Sequence, residues 1–476
     1  MLFNSVAFAV FLPVVYVLYW ALPGKHTRAR NSLLLLASYF FYGFWDWRFL
    51  SLIFLSSLVD YWVGLGLAGE DRSPRARRAL LVTSLVVNLG LLGTFKYFGF
   101  FVESFGELVS SFGLQPHLPS LRLVLPVGIS FYTFQTLSYT IDVYRKEIPA
   151  TRDALAFFTF VSFFPQLVAG PIERARDLLP QFLTTRHFDS EGSRDGLRRI
   201  LWGLVKKVVV ADNLAPFVEA AYSSPTAGGV ALWLATVFFA VQIYCDFSGY
   251  SDIAIGTARL FGFKLTRNFA YPYFSRDIAE FWRRWHMSLS SWFRDYVYIP
   301  LGGSRVSSAR RVRNVLVTFT VSGLWHGASW NFVIWGFLHG LYYVPLLLSG
   351  KQQRHRDEGV ASRRLLPTSG EVLRMVTTFV LVLLAWVFFR ASTLGQALSI
   401  LGRMLLMAPG DAALTFAPIA LVLLVLGLEW IQRTREHGLE IALRPVWMRW
   451  SAYYSMLLLL LLLGSTGHVP FLYFQF

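Results

Sequence analysis

The chain is 476 residues long, 55% hydrophobic and 17% aromatic, with 15% of its residues charged; soluble globular chains carry about 25% charged residues. The formal net charge of +16 invites a nucleic-acid partner, but the basic residues sit in short loops between long apolar runs, which is a membrane arrangement. Cys245 is the single cysteine, so no internal disulfide can form.

In chain order, apolar runs at residues 6–22, 51–67, 80–95, 376–389, 416–430 and 452–463 predict helices that cross or enter a bilayer. A hydrocarbon core of about 30 Å demands a helix of about 20 residues. On that length argument the chain holds roughly eleven to thirteen membrane-embedded segments. The expected fold class is an all-α integral membrane protein, a polytopic bundle. The first run has no basic segment before it and closes in Ala-Leu-Pro-Gly without a small-x-small cleavage pattern, so it reads as a retained span.

Basic residues alternate between loops. Lys25, His26, Arg28 and Arg30 follow the run at residues 6–22, Arg72, Arg75, Arg77 and Arg78 follow the run at residues 51–67, and the turn at residues 45–48 is nearly bare. This positive-inside pattern places the N-terminus outside and the basic loops in the cytoplasm. The same charge suits anionic lipid headgroups or a phosphate-bearing donor on that face. A GxGxxG string at Gly64, Gly66 and Gly69 closes an apolar run; without a strand before it and a helix after it, the dinucleotide reading has no context.

The hydrophilic stretches at residues 184–199, 264–313 and 350–371 are too short or too amphipathic for a soluble domain. Residues 1–476 therefore read as one membrane domain, with a functional core at about 120–345. No internal repeat is visible, which disfavours transporters built from duplicated halves. Three regions mix Gly, polar groups and aromatics into apolar sequence: residues 125–145, 244–263 and 276–340.

The second of these holds Asp246 and Asp252 in a Gly- and Ser-rich setting. A carboxylate there serves substrate orientation or a histidine; capping, or a pair with Arg259, is an equal alternative. Cys245 beside them reads as a small packing residue, with acylation the minor alternative.

Residues 275–295 predict one amphipathic helix. Ile278, Trp282, Trp285, Leu289 and Trp292 form its apolar stripe, and Arg276, Glu280, Arg283 and Arg284 fall opposite, with Arg276/Glu280 and Glu280/Arg284 spaced to pair. His286 lies at the edge of the stripe. Further on, a helix starting near Asn314 reaches His326 after about 18 Å, a little past the bilayer midpoint. Gly323 and Gly327 flank that histidine, predicting a break or kink and close backbone approach.

A neutral imidazole suits such depth, because low dielectric disfavours the charged form. It leaves a base that can take a proton from an attacking hydroxyl, as acyl transfer from a thioester requires. In that reading His326 is the base, and His286 orients or shares the proton or contacts the donor carbonyl. The bland alternative is a pair of core histidines bonded to backbone carbonyls. His339 points about 140° away from His326 on a single helix and reads as packing. His26, His117, His187, His355, His437 and His468 lie in loops or near segment ends and take no role. HxxxH, HExxH, CxxC, GxSxG and Walker patterns are absent, so no metal, Ser nucleophile elbow or P-loop is expected.

Several segments carry a resemblance: LPVGISFYTFQTLSYTIDVYR from Leu125, FFPQLVAGPIERA from Phe163, and YCDFSGYSDIAIG from Tyr244. They continue as NFAYPYFSRDIAEFWRRWHMSLSSWFRDYVYIPLGGSR from Asn268, SGLWHGASWNFVIWGFLHG from Ser322, and the terminal FLYFQF. In these the chain resembles the membrane-bound O-acyltransferase family. Within it, the likeness is to the bacterial branch of alginate O-acetylation and teichoic acid D-alanyl transfer proteins, with the alginate type favoured. The resemblance implies that His326 is the essential histidine and His286 the second one. It also implies a central funnel or tunnel, with Trp325, Asp246, Gln135 and Arg294 as lining or support. It implies no bound cofactor: an acyl thioester, acetyl-CoA or an acyl carrier protein, would be the cytoplasmic co-substrate. The acyl group, an acetyl in family terms, would pass outward from the bacterial inner membrane to an extracytoplasmic Ser/His/Asp acetyltransferase-like partner that presents an exported polysaccharide. Two other classes stay open on the residues alone: a transporter or flippase using Asp246, Asp252 and His286, and a non-catalytic scaffold.

Overall fold

Long apolar runs leave the backbone no partner but itself in a bilayer, and helices are the outcome. The computed structural model describes residues 1–69, 71–115, 123–168, 170–355, 359–411, 417–464 and 471–472. Among these residues there is no strand, only an isolated bridge between Ala227 and Asp411. His117, His468 and the last four residues of the terminal FLYFQF lie outside them. Six helical stretches are long and apolar enough to cross a membrane: Thr27–Leu67, Pro74–Ser111, Gly229–Leu260, Trp330–Leu348, Ser369–Arg390 and Val446–Leu463. Three shorter apolar helices, Val6–Ala21, Ala154–Leu167 and Pro418–Gln432, accompany them. The protein is a multi-pass membrane protein.

The described residues form two units. The first comprises Met1–Arg194 and Thr257–Leu265. Its helices are α1 (Val6–Ala21), α2 (Thr27–Asp46), α3 (Leu50–Leu67), α4 (Pro74–Leu92), α5 (Phe98–Ser111), α6 (Ile129–Tyr144), α7 (Ala154–Ser162), α8 (Phe164–Leu167) and α9 (Ala175–Phe182). A polar knot ties three of them. Asp60 on α3 accepts from Ser84 and, at 2.8 Å, from Asn88 Nδ2, both on α4, and from Thr140 Oγ1 on α6 at 3.0 Å. The carboxylate and its partners are all buried, so each donor offsets the cost of removing the others from water. The Gly64 of the GxGxxG string lies against Tyr139 of α6, 2.6 Å from where a Cβ would sit. This is a packing role.

The second unit comprises Asp195–Gly256 and Thr266–Phe476. It takes most of α10 (Ser190–Leu204) and α12 (Gly229–Leu260), with α11 (Asp212–Ser223) between them. Then follow α13 (Ile278–Arg284), α14 (Met287–Phe293), α15 (Ser308–His326), α16 (Trp330–Leu348), α17 (Ser369–Arg390), α18 (Leu394–Leu405), α19 (Ala417–Gln432) and α20 (Val446–Leu463). Glycines let α10 and α12 touch backbone to backbone. A Cβ on Gly203 would sit 2.5 Å from the Gly249 carbonyl, and one on Gly256 2.5 Å from that of Gly196. Small residues at a helix contact are how membrane helices gain close packing. The same approach brings the long side chains of α10 and the turn after it onto the polar half of α12.

Candidate active site

The stretch expected as one amphipathic helix is two. Asp277 caps α13, its side chain accepting from Glu280 N at 2.7 Å. The helix ends at Arg284, and α14 begins at Met287. Between them His286 adopts the left-handed conformation, φ 42° and ψ 55°. A residue with a Cβ pays roughly 1–2 kcal/mol for that conformation, and such strain gathers at functional sites. All five residues of the apolar stripe are buried, as expected. The charged side is not a solvated face: Glu280, 1% exposed, pairs with Arg276 and Arg284, each at 3.0 Å. Both pairs expected from the i,i+4 spacing form, and pairing lets these charges be buried.

His286 is 0% exposed and lies inside an aromatic wall. The Phe247 ring of α12 meets it edge-on at 4.7 Å between centroids, and Phe269 lies at 6.3 Å. Its Nδ1 is 3.1 Å from Asn268 Oδ1. That same oxygen accepts from Ser288 N at 3.3 Å and Ser288 Oγ at 2.9 Å, while Asn268 Nδ2 donates to Ser251 Oγ at 3.1 Å. The Asn268 backbone carbonyl accepts from Met287 N at 2.9 Å. One asparagine thus holds both the turn and the ring. Burial lowers the His286 pKa from its ordinary value to about 3, so the ring is neutral at pH 7.

His326 is the last residue of α15, where Gly327 turns extended at φ −161° and the chain reverses into α16. The expected break falls here, for a visible reason. Helices α15 and α16 cross at Gly323 and Gly336, whose Cα atoms would be 2.9–3.0 Å from a Cβ on the other. A Cβ on Gly327 would overlap the Phe332 ring. His326 is 2% exposed, with Trp335 at 4.9 Å, Trp325 at 5.1 Å and Phe389 at 5.6 Å between ring centroids. The rings of His286 and His326 are 6.3 Å apart, and Trp325 touches both.

Chain reversal also relocates His339. It lies on α16, not on a continuation of the His326 helix, and its ring meets the opposite side of Trp335 at 4.9 Å. Trp282 Nε1 donates to its Nδ1 at 3.3 Å.

The remaining candidates separate. Trp325 stands between the two histidines. Asp246 instead accepts from Lys207 Nζ at 2.8 Å and from the Leu472 backbone N–H at 2.8 Å. It holds Leu472, and the adjoining Phe471 packs on Phe247 at 5.8 Å and on Tyr250 at 4.4 Å. Asp252 pairs with Arg199 at 2.8 Å and Lys206 at 2.6 Å. Arg294 sits in a π-helical turn, 60% exposed, paired with Asp295. Gln135 belongs to the first unit, buried on α6. Cys245 is buried. No three His, Cys, Asp or Glu side chains among the described residues could hold a metal.

A polar cleft in this unit is lined by Arg199, Lys206, Asp252, Arg267 and Asn268, among others. It reaches the asparagine behind His286, and neither His286 nor His326 lines it. Sequence reasoning missed Asn268 and Phe471 as individuals although both open or lie within quoted segments. A buried asparagine amid aromatics must find partners, which is the signal that pointed to it.

The geometry offers two enclosed, adjacent imidazoles in an aromatic shell. Related proteins share most of this chain. It is 42% identical to the probable alginate O-acetylase AlgI of Azotobacter vinelandii, over 83% of this chain and 76% of that one. It is 37% identical to the peptidoglycan O-acetyltransferase of Helicobacter pylori, over 85% and 80%. With the teichoic acid D-alanyltransferase of Streptococcus thermophilus the identity is 30%, over 55% of this chain and 68% of that one. Residues 36–356 match the membrane-bound O-acyltransferase (MBOAT) family, and the chain belongs to it.

Proposed function

We propose that the protein moves an acetyl group from a cytoplasmic thioester, acetyl-CoA or an acyl carrier protein, across the bacterial inner membrane for O-acetylation of an exported polysaccharide such as alginate. The pairing of the His286 and His326 rings at 6.3 Å in an apolar shell carries this reading. His326 removes the proton from the acceptor hydroxyl as its oxygen attacks the thioester carbonyl. The tetrahedral intermediate collapses with cleavage of the C–S bond, and the thiolate leaves with the proton held by the imidazolium. His286 shares that proton. Water is excluded, which protects the thioester from hydrolysis. Because both rings are enclosed, Trp325, Trp335 and Phe389 must part to admit substrate.

With no soluble domain to hold a polymer, the chain needs an extracytoplasmic partner, a Ser/His/Asp acetyltransferase-like protein, to present the glycan. The N-terminus lies outside on the charge asymmetry of its loops. D-alanyl transfer is the second reading, and the shorter span of that likeness makes it the weaker one. A transporter would need mobile carboxylates, whereas Asp246 and Asp252 are held by Lys207, Arg199 and Lys206.

Membranes carrying the protein and its host's envelope polysaccharide, incubated with labelled acetyl-CoA, test the proposal. Label reaches polymer with the natural chain, falls by about 10²–10⁴-fold in His326→Ala, and persists in His339→Ala. Unchanged transfer in His326→Ala overturns the assignment. Mass spectrometry of the polysaccharide with and without the gene identifies the group transferred.

A further inference from the structure

We infer that Asn268 is a positioning residue for the acyl transfer: by accepting from His286 Nδ1 it fixes the tautomer in which Nε2 carries the lone pair. The inference rests on the acyl-transfer reading above.

The orientation of the amide follows from its partners. The Ser288 backbone N–H can only donate, so the atom 3.3 Å from it is the side-chain oxygen of Asn268. The other end, Nδ2, donates to Ser251 Oγ at 3.1 Å. An amide oxygen has no proton to give, so the His286 Nδ1 that lies 3.1 Å from it must carry one. In a neutral imidazole the proton is then absent from Nε2. His286 is therefore a proton acceptor at Nε2, which selects sharing of the hydroxyl proton over donation to a carbonyl. Ser251 on α12 holds the amide from one side, and Ser288 at the start of α14 holds it from the other. The same residue's backbone carbonyl receives Met287 N at 2.9 Å, so the left-handed turn and the tautomer are set together. Phe247 of α12, Phe269, and Trp325 and His326 of α15 pack on the ring.

Washed membranes from a host deleted for the gene and complemented with variants supply the test, with labelled acetyl-CoA as donor and polymer-bound label as readout. Asn268→Leu keeps the volume and loses the acceptor. Turnover should fall about 10–100-fold, the loss typical of removing a residue that orients a histidine, with the apparent KM for acetyl-CoA within about twofold of the natural chain. Asn268→Asp restores an acceptor but adds charge. A carboxylate beside Nδ1–H favours the imidazolium and raises the His286 pKa. The variant should thus recover turnover at high pH and lose it as the pH falls, through an acid limb lying at least about one pH unit above any that the natural chain shows. The natural chain, whose His286 stays neutral down to about 3, shows no such limb from this ring. Asn268→Leu at the natural rate overturns the inference. So does an Asn268→Asp profile with no upward shift, and that variant decides alone if Asn268→Leu does not accumulate. Absence of polymer label with the natural chain is a different result: it sinks the acetyl-transfer reading itself.

Discussion

His286 and His326 present their rings to one another at 6.3 Å between centroids, although one ends a helix and the other occupies a left-handed turn between two. Nothing in local sequence forces that meeting; packing of Trp325 against both rings does. Groups that handle one proton together lose function together. We expect His286→Ala and His326→Ala each to lower acetyl transfer by about 10²-fold or more, and the double variant to be no slower than the worse single one. Rate losses that multiply in a double-mutant cycle would show that the two act independently.

The crossing of α15 and α16 gives a second prediction. Gly336→Ala places a methyl against the Phe319 carbonyl, backbone that cannot swing away. Overpacking of this kind costs about 1–3 kcal/mol, and here it displaces the helix end that carries His326. Gly402, inside α18, has nothing within 4 Å of its Cβ position. There Ala should be neutral, or stabilise by about 0.8–1.0 kcal/mol through helix propensity. Thermal melts in detergent should fall for Gly336→Ala and hold or rise for Gly402→Ala, with transfer lost only in Gly336→Ala.

Which features could be read ahead of the fold depended on their range. The helical, multi-pass character followed from run length, and the end of α15 from the glycines beside His326, because both are local; against the roughly eleven to thirteen embedded segments expected, the described residues show six helical stretches long enough to cross and three shorter apolar ones. The break at His286 was invisible: a helical wheel carries 275–295 straight through, whereas Asn268, 18 residues upstream, takes the Met287 amide and His286 Nδ1. The pairs of Glu280 with Arg276 and Arg284 were legible from their i,i+4 spacing, and both form, whereas their burial was not. His339 was measured from His326 along one helix, and the chain reverses between them. Asp246 looked like a site residue, yet its partners, Lys207 and Leu472, were not recognisable from spacing.

Asp252 tests the cost of buried charge. It pairs with both Arg199 and Lys206, whose side chains are 5% and 3% exposed. Asp252→Asn leaves two buried cations without their carboxylate, and breaking a buried pair typically costs 3–5 kcal/mol, here an order-of-magnitude figure of about that size. The variant should accumulate poorly or melt early. Adding Lys206→Met should recover part of the loss, because it removes one of the uncompensated charges. A melt unchanged in Asp252→Asn would mean that the cluster is hydrated enough to need no counter-charge.

Orientation is accessible through the lone native cysteine. Cys245 is 0% exposed, so a membrane-impermeant maleimide meets little background. A cysteine introduced by Asp71→Cys, in the exposed loop before α4, should label only after the membrane is opened. Labelling of intact cells would reverse the proposed topology.

The terminal segment reaches His286 through one intervening ring. Phe471 is fully buried against Phe247, which in turn meets the imidazole edge-on at 4.7 Å, and Leu472 N–H is held by Asp246. Phe471→Ala removes the support behind Phe247; a fully buried phenylalanine is worth about 3–5 kcal/mol, though release of the segment limits how much of that appears. The loosened ring should cost transfer about tenfold, equivalent to about 1.4 kcal/mol in the barrier. Phe471→Leu, which refills most of the space, should stay within about threefold, since volume-conserving swaps cost less than 1.5 kcal/mol. Asp246→Asn weakens the same attachment at its other contact and strands Lys207 beside Asp212 alone, so it should lower transfer and the melting temperature together. If Phe471→Ala transfers acetyl groups at the natural rate, the segment fills space behind the site without steadying it.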